Sequence, residues 1–268
     1  MISILGEIMD KKIELEEKAK GYYSYLVEKS LEYKFDDDVK ILDLMNQIIV
    51  IFDSLKLNIA NQIQLQLYKS ITKMLNDFYY SLFSNNFQVV SLFLRMISEN
   101  MIIFSVMLNN DLKVTEYWQY WEFMRLQETL KISDWKYIPE FLEFRKDLNN
   151  NFSTKEIKNL LRKNYGWAVS LGLNANSCTL KQISLKQQND ILYKIFSEVS
   201  NRVHNSSFSQ FISNIDTGNT FIFFCSEFIS LTDVLIEILT PFITNQLEIN
   251  NYKKLSLQFL LLQENNIS

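Results

Sequence analysis

The chain has 268 residues, 47% hydrophobic and 14% aromatic, with 27 basic against 31 acidic side chains and a net charge of −4. That length and apolar content suffice for a sizeable core and exclude a disordered chain. The mild acidity and the lack of a polybasic run exclude broad grip on nucleic acid through phosphate neutralisation, though not a local basic pocket.

Only 5 glycines and 2 prolines are present, too few for turn-rich β-sandwiches or glycine-loop α/β folds. The expected fold is an all-α multi-helix bundle of long amphipathic helices. Residues 2–33 carry apolar positions at helical spacing and many Glu/Lys pairs, which predicts a long solvent-facing helix. Asp36-Asp37-Asp38 then forms an N-cap cluster for a helix to about Leu55. Asn58 is expected to open another, to about Phe83, closed by the turn Ser84-Asn85-Asn86. The next helix, about 87–109, is apolar almost all round and is expected to be the buried centre of the bundle.

A helix over about 114–131 carries Tyr117, Trp118, Tyr120 and Trp121, which read as core aromatics at helical spacing. Trp118 and Trp121, with Tyr117 and Arg125 nearby, could also make a stacking platform for a base. Pro139 suits the first turn of a helix at about 138–148. Asn149-Asn150-Asn151 marks a sub-boundary near 149–152, between an N-terminal bundle and a C-terminal helical part of a single domain over 1–268. Ser153-Thr-Lys-Glu156 is a capping box for a helix to Lys163, and Tyr165-Gly-Trp167 begins another short one. Residues 173–183 read as loop, 184–204 as a strong helix and 205–219 as loop. A final long helix is expected over about 219–246, kinked at Pro241, with a short one after it.

Acidic residues interrupt both of the most apolar stretches: Glu227, Asp233 and Glu237 in one, Glu99 beside Arg95 in the other. No membrane span is therefore expected. The N-terminus lacks the basic-then-apolar order of a signal peptide, so a cytoplasmic location is expected. Cys178 and Cys225 show no metal-ligand spacing and read as reduced, structural thiols; no metal or cofactor is expected. P-loop, dinucleotide, zincin and nucleophile-elbow motifs are absent from the sequence.

The chemistry-bearing candidates fall on two helical stripes. His204 is the only histidine, the one side chain whose ordinary pKa lies near neutrality. Advancing about 100° per residue from Tyr193 puts Ser197, Ser200 and His204 within about 40° of it, beside the apolar stripe of Leu192, Phe196, Val199 and Val203. Arg202 falls about 180° away if the helix continues to His204. On the central helix, Gln88, Ser91, Ser98 and Glu99 lie within about 60° of Arg95. An Arg and a Glu four residues apart on a helix expected to be buried are expensive unless satisfied. Two arrangements follow: a sealed Arg–Glu network that fixes register, or an open pocket shared with the Tyr193/His204 stripe. In the pocket Glu99 would orient His204 and Arg95 would bind an anionic group.

The Leu94-Arg95-Met-Ile-Ser-Glu99 helix, with Tyr193-Lys-Ile-Phe-Ser197 and Val203-His204, resembles an uncharacterised bacterial family, one of the numbered domains of unknown function. The resemblance covers most of residues 60–245 and implies an all-α fold without an established reaction. A more distant likeness is to HEPN proteins, helical bundles that are often ribonuclease toxins or phage-defence effectors and usually dimers. Their signature sets an Arg four to six residues before a His. Here Arg202 stands only two before His204, so Arg95 would have to supply the phosphate-binding charge. The likeness implies a metal-independent ribonuclease acting on RNA or a nucleotide, with His204, Arg95, Glu99 and Tyr193 catalytic and Ser197 and Arg202 on the substrate. The other reading is a non-catalytic helical interaction or sensor module with a protein partner or a second copy. It would serve as one component of a defence or toxin–antitoxin system.

Overall fold

The computed structural model describes residues 36–84, 86–130, 139–187, 190–204 and 217–267. Among them the architecture is an all-α bundle: α1 Asp36–Ser54, α2 Gln62–Phe83, α3 Phe87–Asn109, α4 Leu112–Leu130, α5 Pro139–Asn151, α6 Thr154–Leu161, α7 Leu180–Lys186, α8 Asp190–His204, α9 Thr217–Leu239 and α10 Gln246–Ile267. Short 3-10 helices lie at Gly166–Leu171, Ala175–Ser177 and Thr240–Phe242. The expected helix over 2–33, and most of the expected loop over 205–219, lie outside the described residues.

α3 is the centre, as its composition predicts. It packs most extensively against α2 and α8, and also against α9 and α7. Val90, Leu94, Ile97, Met101, Ile102, Phe104, Val106 and Met107 are fully enclosed along it. By length and composition α3 could cross a membrane, but 61% of its most apolar window is buried inside the bundle. Stacked rings bind the α2/α3 hairpin to α9: Phe78 on Phe228 and Phe87 on Phe224, each pair with centroids 5.7 Å apart. One buried polar side chain links three elements. Gln64 Nε2 donates to the Met107 carbonyl at 2.8 Å and to Thr115 Oγ1 at 3.3 Å, joining α2, the end of α3 and α4.

Four helix boundaries differ from the sequence reading. Asn58 does not open α2; its N–H donates to the Phe242 carbonyl at 2.8 Å, and Leu57 bridges Ile243. This pairing holds the segment extended, so Asn61 becomes the N-cap, its side chain accepting from Ile63 and Gln64 N–H. The expected 184–204 helix is two, α7 and α8, and α7 reaches back into the segment expected to be loop. Thr179 caps it, accepting from the Gln182 N–H at 3.3 Å. Pro241 ends α9 rather than kinking it, because it lacks an N–H and α9 has already stopped at Leu239. The last helix is long, not short: Ile249, Tyr252, Ser256 and Phe259 form its buried stripe.

The Ser153/Glu156 capping box is formed as expected. α5 runs on through the three asparagines, so α5 and α6 are separated by Phe152 and Ser153 alone.

Candidate functional site

The polar stripe of α3 runs along the edge between its buried face and solvent. Ser91 and Ser98 are buried, but their hydroxyls donate back to the Phe87 carbonyl at 2.9 Å and to the Leu94 carbonyl. Such back-bonding satisfies a buried serine without any ligand. Gln88 is exposed, and so are two apolar neighbours, Leu92 at 45% and Met96 at 46%. Arg95 and Glu99 are half-buried between these limits.

Glu99 is engaged by a residue from elsewhere in the chain. The Tyr165 hydroxyl donates to Glu99 Oε1 at 2.6 Å, across 66 residues of sequence. Burial first, and then the Glu99 carboxylate, push the Tyr165 hydroxyl far above the ordinary tyrosine range, so it stays a neutral donor. The positive charges of Arg95 and Arg125 act in the opposite sense.

Tyr165 stands between two further contacts. Its neighbour Asn164 accepts from Arg125 through the backbone carbonyl at 3.3 Å and the side-chain oxygen at 3.2 Å. The same guanidinium meets Glu122 at 3.3 Å. Burial holds the Glu122 carboxyl above its usual value; Arg125 opposes that rise and the Glu99 charge adds to it. On the other side, Gly166 lies against Trp121, where an added Cβ would sit 2.3 Å from the indole and 2.5 Å from the Leu160 carbonyl. Only glycine permits that approach. Trp121 is fully buried, its ring stacked with Tyr117 at 6.5 Å and its Nε1 without a hydrogen-bond partner among the described residues. It offers no face to a base, as the core reading of these aromatics predicts. Trp167 is likewise fully buried.

α8 approaches the cluster through Arg95. The guanidinium carbon lies 5.5 Å from the centroid of Phe196, a cation–π distance. Tyr193 stacks on the same ring, with centroids 6.1 Å apart. Tyr193 and Ser197 are half-buried. Arg95 therefore reaches α8 at Phe196, which lies on the apolar stripe beside the one that carries Tyr193 and Ser197. α8 continues through His204, so register sets positions 202 and 204 about 160° apart around it. His204 lies eight residues beyond Phe196, a rise of about 12 Å along the helix. The side chains of Arg202 and His204 lie outside those described.

The cluster thus holds Arg95, Glu99, Glu122, Arg125 and Tyr165, drawn from α3, α4 and the turn after α6. Sequence reasoning found the first two. Glu122 and Arg125 are spaced for a one-turn pair, but nothing in sequence pointed that pair at Glu99. Tyr165 gave no signal beyond its place beside Gly166. The five groups can hold charge in a partly desolvated junction and donate a neutral hydroxyl to a carboxylate. The chain matches no protein-family model, and neither a curated protein nor a solved structure is similar to it.

Proposed function

We propose that this protein is a non-catalytic helical interaction module, cytoplasmic, acting as one component of a defence or toxin–antitoxin pair with a protein partner. The observation that carries this reading is the Tyr165–Glu99 hydrogen bond of 2.6 Å. The carboxylate that an acid/base mechanism needs beside His204 is committed to a tyrosine from another segment. Arg95 rests on Phe196, so both members of the α3 pair connect helices. Long amphipathic helices and a high aromatic content suit partner binding. The test compares Glu99→Gln, Arg95→Met and His204→Ala with the parent for thermal stability and for cleavage of RNA in chelator. Glu99→Gln and Arg95→Met are expected to melt about 1–2 °C lower, with no RNA cleaved by any of the four proteins. Metal-free cleavage by the parent that a folded His204→Ala protein lacks would overturn the reading.

That outcome would support the second reading, a HEPN-like metal-independent ribonuclease of phage defence acting on RNA or a nucleotide. It is favoured by the contact of Arg95 with the helix that carries Tyr193, Ser197 and His204. In it His204 moves the 2′-hydroxyl or leaving-group proton. Arg95 stabilises the developing phosphate charge. Glu99 and Tyr193 orient these groups, and Ser197 and Arg202 touch the substrate.

A further inference from the structure

A second concave site lies between α4 and α5, on the side of α4 opposite Glu122 by helical register. Its floor is aromatic. Phe144 is buried, Tyr117 meets it edge-on at 4.7 Å, and Tyr120 stacks on it at 5.3 Å. Its rim is acidic: Glu116 from α4, with Glu143 and Asp147 from α5, all exposed. Among the described residues Lys113 is the one basic residue of the lining, against three carboxylates. Each wall comes from a single helical face, residues 113, 116, 117 and 120 on α4 and 143, 144 and 147 on α5, so backbone geometry holds the rings and carboxylates together.

We propose that this pocket binds an organic cation of the alkylammonium type. Ring faces attract a positive charge through their quadrupole, and aromatic walls are the usual receptor for ammonium groups with an apolar body. The carboxylate rim adds Coulomb attraction and hydrogen-bond acceptors, and the rings pack against the alkyl chain. A hydrated inorganic cation gains only the Coulomb attraction of the rim, whereas an organic cation also packs its apolar body on the rings. Burial first, and then the Asp147 charge, raise the Tyr117 hydroxyl far above its ordinary range, so that hydroxyl adds no negative charge to the floor.

The experiment is calorimetric titration of the full chain with tetramethylammonium, butylammonium and a blocked pentapeptide of glycines around one lysine, each against equal sodium chloride. Saturable binding of the ammonium probes is expected, weakened about tenfold in Glu143→Gln/Asp147→Asn and tightened in Lys113→Gln. The rim residues are exposed, so these variants should melt like the parent; Tyr120→Leu should also lose binding while still folding. The peptide binding more tightly than butylammonium assigns the cation to a protein side chain, and the reverse order to a free amine. Heat no greater than that of sodium chloride would overturn the proposal. So would binding that survives the double rim variant.

Discussion

The hydroxyl of Tyr165 donates to Glu99 Oε1 at 2.6 Å, and this bond ties the turn after α6 to the central helix. A neutral donor to a half-buried carboxylate is stronger than an ordinary hydrogen bond but is weakened by the solvent that still reaches Glu99. Tyr165→Phe is expected to lower stability by about 1 kcal/mol. For a chain of this length that is a drop of about 2 °C in melting temperature, read by circular dichroism. An unchanged melting point would show that the bond does not hold the junction.

Three tyrosines should make the fold sensitive to alkali. Burial first raises the hydroxyls of Tyr68, Tyr165 and Tyr252 above the ordinary range; the next causes are the Asp53 charge, the Glu99 bond and the Asp233 bond, respectively. A raised native pKa means that the native state keeps a proton the unfolded chain gives up near pH 10. The stabilisation is therefore fully present below about pH 10 and is lost as pH rises above it. Urea midpoints should stay level from about pH 7 to 9 and fall beyond about pH 10, with tyrosinate absorbance rising in step with unfolding. Tyr252→Phe, which removes the hydroxyl that donates to Asp233 and meets Thr232 Oγ1, should lower the plateau and flatten the fall.

Gly166→Ala should be strongly destabilising for a single added methyl. The new Cβ would meet the fully buried Trp121 ring and the Leu160 backbone carbonyl, and neither can swing away. Overpacking of this kind costs about 2–3 kcal/mol. Loss of near-ultraviolet tryptophan dichroism, with a lower urea midpoint, would report it.

Glu122 and Arg125 should respond oppositely to replacement. Glu122 has a raised native pKa, so its contribution to stability is present below the ordinary carboxyl pKa and declines as pH rises through the native value. Glu122→Gln removes that decline. Because Glu122 is one-third exposed, the change at neutral pH should be a neutral to slight gain, under about 1 kcal/mol. Arg125→Met removes the bonds to Glu122 and Asn164 together and should lower stability by about 1 kcal/mol. Paired denaturant curves at pH 4, 5.5 and 7 test both signs.

The α-helical class and the span of the central helix were legible in the chain. Apolar residues around most of the helix from Phe87 to Asn109, bounded by asparagines, leave little but a largely buried helix. The same holds for the Ser153 cap, whose partner is three residues away. Local signals mark elements when the groups that satisfy the backbone are themselves local. Asn58 shows the limit. It was as good a cap as Asn61 by residue type, and only its bond to Phe242, far along the chain, decided between them.

The two candidate stripes follow the same division. Helical periodicity set Arg95 beside Glu99, and Tyr193 in line with Ser197 and His204, because those relations depend only on rise and rotation. Which side chains meet across helices depends on how the bundle closes. It brought Arg95 to Phe196, and it delivered Tyr165, from a turn with no distinguishing pattern, to Glu99. Sequence by itself determined the helical class, the central helix and the faces on which its charge would lie. Only the tertiary structure decided the partners of that charge, since long-range contacts are chosen by the packing of the whole core and leave no periodic trace in the chain.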